Sequence, residues 1–362
     1  MNFIFIVQGE GRGHMSQSVA LAEMLNSANH HVQKVLIGVS PRRNIPEDFY
    51  KTFKGKVILF ESPNFLIDKH EKKLRILASF FYNIVRIPIY IKSIIQIKRI
   101  CDHEKPDAVI NFYDMLGGMA NIVMNKPFLS ISIAHQYYFL HPSFKHPGEL
   151  NLQRFFLWLH TRMTALGADK MLALSYREEI SLPGKKLFIV PPLIRRFIKD
   201  LSPGDKGYLL GYILNPGYYH EILSWHKDHP DTEIHIFWDK KDYLPEKHKN
   251  IHFHQIDYHA FISYFKDCSA YISTAGFESI VEALFLGKPV MVRPNQNHYE
   301  QECNAKDAME SGAGIVSKQF NLSAVLENTT DLNHHRESFK DWVNQADHIF
   351  LKHLTDSMEN GQ

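Results

Sequence analysis

Residues 273–304 contain the densest group of side chains in this chain that could do chemistry, STAGFESIVEALFLGKPVMVRPNQNHYEQECN. The apolar run 270–272 predicts a strand, and a helix is predicted to begin near Gly276. The first turn of a helix has unpaired backbone N–H groups and the positive end of the helix dipole, which together favour an anion such as a diphosphate. Because glycine has no Cβ, Gly276 lets the backbone approach such an anion closely.

Polar side chains continue the same pattern toward the end of this region. Ser279 adds a hydroxyl, and Glu282 lies one turn further, where a carboxylate could accept hydrogen bonds from ribose hydroxyls. The helix is expected to end at Gly287, and a buried strand follows from Pro289. A second strand-to-helix turn then offers groups that recognise hydroxyls: Glu300, Gln301 and Asn304. An ordinary strand–helix–strand unit also has Gly and Pro at its joints, so the inference rests on the two turns together.

The turn after the first predicted strand is rich in glycine, GEGRGHM at 9–15. Its spacing is GxGxG, not the GxGxxG of dinucleotide-binding folds, which makes a dinucleotide site the weaker interpretation. His14 is predicted at the start of the following helix, where the helix dipole favours neutral imidazole, the form that a general base requires. The alternative is a histidine that caps the helix or contacts a phosphate.

Asp114 ends the predicted strand 107–113 and could hydrogen-bond the far nitrogen of His14. The alternative is that it caps the predicted helix 115–125, since aspartate is a favoured N-cap. Other polar residues and glycines at strand ends are candidates for an acceptor site, or equally are ordinary turn residues. The acceptor-site candidates are Gly11, Gly13, Asn111, His135 and Gln136, with Gly117 and Gly118 beside them.

Short apolar strands alternate with helical stretches along the whole chain, which predicts a parallel α/β architecture. A length of 362 residues exceeds that of most single cores, so two domains are expected. Residues 191–206 combine prolines with charge and form the best linker. We therefore expect an N-terminal domain over 1–200, a second domain over 207–331 and a helical tail over 332–362.

Composition excludes several classes of protein. The net charge of +2 gives no case for nucleic acid as a partner. Three scattered cysteines without CxxC spacing indicate a reducing, cytoplasmic setting, and the N-terminus has no signal-peptide pattern. Histidine pairs such as His252/His254 and His226/His229 lack further ligands at metal spacing, so no metal site is expected.

Residues 72–99 have seven basic and no acidic side chains, and they are dense in Ile, Phe and Tyr. Charges and Pro88 interrupt the segment, so it does not span a bilayer. Basic residues around exposed aromatics suit the surface of an anionic membrane. The alternative is a buried helix whose basic side chains extend into solvent.

The pattern Gly276-x-x-Ser279-x-x-Glu282, with the downstream pair Glu300-Gln301, resembles the donor-binding signature of GT-B glycosyltransferases. It is similar to that of the bacterial lipid II N-acetylglucosaminyltransferase (family 28) and of the UDP-sugar-dependent family 1 transferases. The resemblance implies two Rossmann-like parallel-sheet domains that face each other across a cleft, the first binding the acceptor and the second the nucleotide sugar. It also implies that the helical tail 332–362 returns to the first domain. It also implies diphosphate contacts from Thr274, Ala275, Gly276, Phe277 and Ser279, ribose contact from Glu282, and sugar contacts from Glu300, Gln301 and Asn304.

By the same resemblance, the activity is inverting transfer of a hexose or N-acetylhexosamine from a UDP-sugar to an acceptor hydroxyl. His14 and Asp114 would be catalytic, and no metal or other cofactor would be required. If residues 72–99 contact a membrane, the acceptor is expected to be lipid-linked or a cell-envelope glycan, at the inner face of the membrane. The rival hypotheses are a UDP-sugar epimerase of the same fold and a non-catalytic nucleotide-sugar-binding protein.

Overall fold

The structure of the protein is a computed structural model that describes residues 1–40, 45–63, 76–124, 127–213, 218–238, 249–295, 298–317, 325 and 329–355. The chain forms two compact units, the first comprising 1–196 together with 342–362 and the second comprising 197–341. The sequence predicts that the second domain ends at residue 331, whereas unit 2 extends to residue 341. A helix runs through residue 331 and continues to Asn344.

Unit 1 is built on a seven-stranded parallel sheet in the order β3-β2-β1-β4-β5-β6-β7. Its strands are β1 (Asn2–Gln8), β2 (His31–Val39), β3 (Val57–Glu61), β4 (Ala108–Phe112), β5 (Leu129–Ala134), β6 (Lys170–Leu174) and β7 (Leu187–Val190). Its helices are α1 (Arg12–Ser27), α2 (Glu47–Thr52), α3 (Ile76–Val85), α4 (Ile87–Glu104), α5 (Met115–Val123) and α6 (Leu152–Thr164), and α7 (Arg196–Lys199) marks the limit of the unit.

Unit 2 has a six-stranded parallel sheet in the order β10-β9-β8-β11-β12-β13. The strands are β8 (Tyr208–Ile213), β9 (Glu233–Trp238), β10 (Ile251–Gln255), β11 (Ala270–Ser273), β12 (Val290–Val292) and β13 (Ile315–Val316). The helices are α8 (Tyr219–Asp228), α9 (Tyr258–Asp267), α10 (Phe277–Phe285) and α11 (Tyr299–Glu310). Two further helices, α12 (Thr329–Asn344) and α13 (Ala346–Thr355), close the described chain.

The central strands are apolar throughout because parallel strands are covered on both faces. In β1, residues 3–7 are all fully buried. Each sheet also reverses its strand order once, between β1 and β4 in unit 1 and between β8 and β11 in unit 2. Open α/β sheets bind ligands at the carboxyl ends of strands at such switch points. The sheet orders therefore place the turns after β1, β4 and β11 at the positions where ligands are expected.

The described part of the basic segment 72–99 belongs to two helices, α3 and α4, and residues 72–75 lie outside the described residues. Arg86 separates α3 from α4, and Pro88 lies in the first turn of α4. Proline lacks a backbone N–H and fits the first helical turn, where that donor has no partner within the helix. The break follows from this preference.

Candidate active site

The turn between β11 and α10 in unit 2 has the form that the sequence predicts for binding an anion. Gly276 is the N-cap of α10, and as a glycine it has no side chain that could cap the helix. Its backbone is unstrained, with φ of −76°, whereas the preceding Ala275 has φ of +63°. A left-handed conformation costs a non-glycine residue roughly 1–2 kcal/mol. Strain of this kind is held by surrounding contacts and is frequent at ligand sites.

Asn304 of α11 supplies the contact that holds this turn. Its Nδ2 donates to the carbonyl of Ala275 at 2.9 Å, and its side chain is buried. Among the described residues, the Oδ1 atom of Asn304 is buried without a hydrogen-bond partner. A buried acceptor without a partner costs free energy, which a ligand donor would recover. Asn304 thus joins the two predicted turns of unit 2.

The other predicted donor-binding residues surround the same turn. Ser279 Oγ donates to the Gly276 carbonyl at 3.1 Å and lies 3.3 Å from Ser273 Oγ. Thr274 and Glu282 are buried, as is Phe277, and Glu300 is half-buried in the first turn of α11. Their contacts to a donor remain predictions.

Gln301 is oriented by the loop that follows β12. Its Oε1 accepts the Asn295 N–H at 2.8 Å. With the carbonyl oxygen engaged, the amide Nε2 is the group of Gln301 suited to donate to a sugar hydroxyl. This geometry is compatible with the predicted sugar contact.

Arg293 is a residue of this region that sequence reasoning missed. It follows β12, and its backbone N–H donates to the Ser273 carbonyl at 2.7 Å, so it lies beside the end of β11. The guanidinium is buried, lies over the Tyr218 ring and approaches Glu221 at 3.4 Å. Among the described residues, its Nε atom has no hydrogen-bond partner. The available signal was a basic residue directly after a predicted strand, at the carboxyl edge of the sheet.

His14 lies in the first turn of α1 in unit 1 and is 8% exposed. Its Nδ1 is 3.1 Å from Gln17 Oε1, one turn further along the helix. Because an amide oxygen only accepts, Nδ1 carries the proton in this arrangement, and a neutral His14 then has its lone pair on Nε2. The ring stacks on Tyr113 with centroids 5.3 Å apart. Sequence reasoning missed Gln17, although its spacing of three from His14 is a contact distance on a helix.

Asp114 does not play the predicted part. Within the described part of the chain it makes no hydrogen bond to His14: its Oδ1 accepts from the Gly117 N–H at 2.9 Å and its Oδ2 from Ser62 Oγ at 2.8 Å. It is the N-cap of α5, so the capping alternative is correct and the predicted His14–Asp114 pair is wrong. Complete burial raises the pKa of Asp114 to about 6, although hydrogen bonds from Gly117 and Ser62 oppose this rise.

Several acceptor-site candidates have structural roles that account for them. Asn111 Nδ2 donates to the carbonyls of Asp114 and Thr164, at 2.9 and 2.7 Å, and its Oδ1 accepts the Asp114 N–H, so this side chain fixes the β4–α5 turn. Gly118 allows close packing, since a Cβ there would lie 2.1 Å from the Met163 carbonyl oxygen. Asn111 and Gly118 are therefore better explained as packing residues than as acceptor contacts.

The remaining acceptor candidates lie at the ends of β1 and β5. Gly11 is the uncapped N-cap of α1, and Gly13 is in its first turn. His135 is buried, its Nδ1 donates to the Leu174 carbonyl at 2.8 Å, and burial lowers its pKa to about 3, which keeps the ring neutral. Gln136 beside it is also buried. The structure places them at the carboxyl edge of the unit 1 sheet, and their role in acceptor binding stays a prediction.

Three possible metal ligands lie close together in unit 2, although the sequence spacing of the histidine pairs predicts no metal site. Glu233, His235 and His252 place one possible ligand atom each within 4.8 Å of one another. The sequence pattern could not show this group, because the register between β9 and β10 brings together residues that are distant along the chain.

Two parallel α/β units, each with a strand-to-helix turn at its switch point, are the architecture expected of a GT-B glycosyltransferase. Residues 1–331 match the family model described as Glycosyl transferase family 1, and the chain belongs to this family. It is similar to a glycosyltransferase of Methanosarcina acetivorans, with 24% identity over 90% of this chain and 88% of the relative.

Solved structures of glycosyltransferases have the same fold. MurG of Acinetobacter baumannii superposes with a TM-score of 0.59 at 14% identity, covering 98% of this chain and 99% of MurG. A UDP-glucosyltransferase of Polygonum tinctorium that glucosylates indoxyl superposes with a TM-score of 0.61 at 13% identity, covering 95% and 93%. The predicted GT-B fold is confirmed, and the protein is a glycosyltransferase.

Proposed function

We propose that this glycosyltransferase moves a hexose or N-acetylhexosamine from a UDP-sugar to an acceptor hydroxyl with inversion at the anomeric carbon. The observation that carries the proposal is the β11–α10 turn, where a helix with glycine as its N-cap begins after a strained Ala275 held by Asn304. A pre-formed group of backbone donors suits a diphosphate that leaves with negative charge.

In the proposed reaction, His14 takes the proton of the acceptor hydroxyl through Nε2 as the hydroxyl oxygen attacks the anomeric carbon. The bond between that carbon and the diphosphate oxygen breaks, and UDP leaves with the electron pair. Gln17 holds the imidazole in the required tautomer and orientation. The N–H groups at the start of α10 stabilise the leaving diphosphate, so no metal is needed for this step. A positioned general base contributes typically 10²–10⁴-fold in rate.

In this proposal, different parts of the UDP-sugar contact different residues of the two turns of unit 2. The β11–α10 turn contacts the diphosphate, Glu282 the ribose hydroxyls, and Gln301 and Glu300 the transferred sugar. Similarity to a named UDP-glucosyltransferase supports UDP as the nucleotide.

A panel of nucleotide sugars tests the donor assignment. Thermal shift with UDP-, GDP- and dTDP-sugars is expected to show stabilisation by a UDP-sugar, and mass spectrometry of products from a cell-lipid extract is expected to show an added hexose or N-acetylhexosamine. Stabilisation by another nucleotide alone would contradict the proposal. Formation of an isomer from UDP-N-acetylglucosamine without acceptor, seen by NMR, would indicate the epimerase instead. UDP binding without turnover on any acceptor would indicate a non-catalytic protein.

We also propose that unit 1 contacts an anionic membrane surface and that the acceptor is lipid-linked. Among the described helices, none is long and apolar enough to cross a bilayer. Tyr90 and Ile97 are buried on one side of α4, so the alternative of a buried helix accounts for that side alone. Another side of α4 exposes Ile87 (49%), Ile91 (52%) and Ile95 (42%).

Other helices of unit 1 also expose apolar side chains. Phe81 and Val85 at the end of α3 are 64% and 79% exposed, and α6 exposes Leu152 (62%) and Trp158 (46%). Apolar side chains beside basic ones are the pattern of a surface that binds anionic lipid.

Vesicle flotation tests the membrane proposal. The chain is expected to float with vesicles of phosphatidylglycerol and phosphatidylcholine, and less with phosphatidylcholine alone. The double variant Ile91→Ser/Ile95→Ser is expected to lose flotation, whereas a matched change at exposed Ile180 (79%) in the same unit is expected to keep it. Equal flotation of both variants would contradict the proposal.

A further inference from the structure

The edge of the unit 2 sheet has a group of histidines that the transfer reaction does not use. In the parallel pair of β9 and β10, His235 is the register partner of His252. Alternate residues of a strand point to the same face, so Glu233 shares a face with His235, and His254 shares it with His252. These four residues therefore lie on one face of the edge strand β10 and its neighbour β9, and we call them the β9–β10 cluster: Glu233, His235, His252 and His254.

Distances within the β9–β10 cluster bring three ligand atoms together. His235 Nε2 lies 2.8 Å from Glu233 Oε1, and His252 Nε2 lies 3.7 Å from the same oxygen. The rings of His235 and His252 stack with centroids 4.7 Å apart. Two imidazole nitrogens with one carboxylate oxygen are a ligand set of zinc and similar divalent transition metals, whereas Mg²⁺ and Ca²⁺ prefer oxygen ligands alone.

The cluster is also reachable from solvent. Glu233 is 47% exposed at its side chain and His252 is 42% exposed, so a metal held there has room for a water ligand.

His254 provides the partner that a metal-ligating histidine requires. Its Nε2 lies 2.9 Å from His235 Nδ1. Without metal, His235 Nε2–H donates to Glu233, so a neutral His235 accepts at Nδ1 from His254. When Nε2 ligates a metal, the proton resides on Nδ1 and is donated to His254 instead, with the tautomer of His254 changing in turn. The packed rings of Tyr208 and Tyr264, at 4.9 and 4.4 Å, fix the orientation of His235.

We propose that Glu233, His235 and His252 bind a divalent transition metal of the zinc class, with His254 as the hydrogen-bonding partner of His235. Glu233 begins β9 and His252 is near the beginning of β10, so the site lies toward the amino ends of the strands. The β11–α10 turn follows the carboxyl end of its strand, so the two sites lie at opposite ends of the strands of the same sheet. The metal therefore joins the edge strand β10 to β9 and stabilises unit 2 without entering the transfer reaction.

The test uses the full chain without a polyhistidine tag, stripped with chelator and titrated with Zn²⁺. Calorimetry and elemental analysis after dialysis are expected to show one bound Zn²⁺ per chain, and the melting temperature is expected to rise with Zn²⁺ but not with Mg²⁺. The variants His252→Gln and Glu233→Gln change exposed side chains, so folding is expected to be retained. Each is expected to weaken Zn²⁺ binding about tenfold or more.

His103→Gln provides the matched control, because the His103 side chain is 85% exposed and lies in unit 1. It is expected to bind Zn²⁺ as the unchanged chain does. Zn²⁺ binding that is equal in His103→Gln, His252→Gln and Glu233→Gln would overturn the proposal, because the metal would then lie elsewhere. Failure of the unchanged chain to bind Zn²⁺ would overturn it as well. Neither result bears on UDP binding, which tests the proposed function separately.

Discussion

The β1–α1 turn of unit 1 and the β11–α10 turn of unit 2 begin alike and differ in what they position. Both helices have glycine as the N-cap, a residue with no side chain to accept from the first turn. The first then presents His14 with Nδ1 held by Gln17, whereas the second follows a strained Ala275 held by Asn304. In the proposed reaction, the first turn orients the base and the second offers backbone donors to the diphosphate. Variants in unit 1 are therefore expected to impair turnover, and variants in unit 2 to impair donor binding.

His14→Ala is expected to have the largest effect of these variants. If it left turnover unchanged, the contrast between the two turns would not hold. Loss of the base should lower kcat roughly 10²–10⁴-fold while the Kd for UDP stays unchanged. Steady-state kinetics and calorimetry measure the two quantities on one preparation. His103→Ala serves as control at an exposed site. Near-normal turnover of His14→Ala would exclude His14 as the base.

Asp114→Asn sharpens the comparison. The side chain of Asp114 caps the start of α5, so its replacement is expected to affect the stability of the protein and not turnover. The pKa of Asp114 is raised by burial to about 6 in the folded protein. Ionisation of this carboxyl therefore favours unfolding, and its cost grows as pH rises from about 4 to about 6, by roughly 3 kcal/mol. Asparagine retains the cap without ionising.

Denaturant unfolding from pH 4 to 7 measures this effect. The free energy of unfolding of Asp114→Asn, relative to the unchanged chain, is expected to rise with pH across that window. Asp257→Asn makes the same change at the exposed cap of α9 and should show no comparable rise. A pH-independent difference for Asp114→Asn would show that burial does not raise the pKa of this group.

Gln17→Leu is expected to have the smallest effect of the three. It removes one neutral hydrogen bond to His14, worth roughly 0.5–1.5 kcal/mol, so kcat should fall by up to about tenfold. Gln17→Glu should restore orientation and move the acid limb of the kcat–pH profile to higher pH, because a carboxylate stabilises the imidazolium. Profiles that are the same for Leu and Glu at this position would show that Gln17 has only a packing role.

Much of the fold could be predicted from local pattern. The apolar run at 2–8 coincides with β1, and alternation of strands with helices indicated parallel sheets. The Gly276 turn could be located because the helix start and the preceding strand are encoded by adjacent residues. The left-handed conformation of Ala275 could not be predicted, since a contact from the distant Asn304 accompanies it.

Errors in the candidate site have the same origin. His14 and Asp114 follow the neighbouring strands β1 and β4, a pattern that indicated a pair, but the carboxyl oxygens of Asp114 are engaged by Gly117 and by Ser62, which is far away in sequence. The group of Glu233, His235 and His252 depends on the register of β9 and β10, which spacing along the chain does not encode. Sequence thus indicates which turns are open, and tertiary contacts decide which side chains complete them.

The central claim is that the turn at Gly276 binds the diphosphate of the donor, and calorimetric titration of Gly276→Ala with UDP tests it most directly. An added Cβ is tolerated by the fold, because φ is −76° and the nearest atom, Ser279 Oγ, would lie 3.5 Å away. Gly184→Ala is the matched control, with no atom within 4 Å. We predict that Gly276→Ala keeps its melting temperature and binds UDP about tenfold more weakly or worse, whereas Gly184→Ala is unchanged. UDP binding by Gly276→Ala that equals that of the control would contradict the claim.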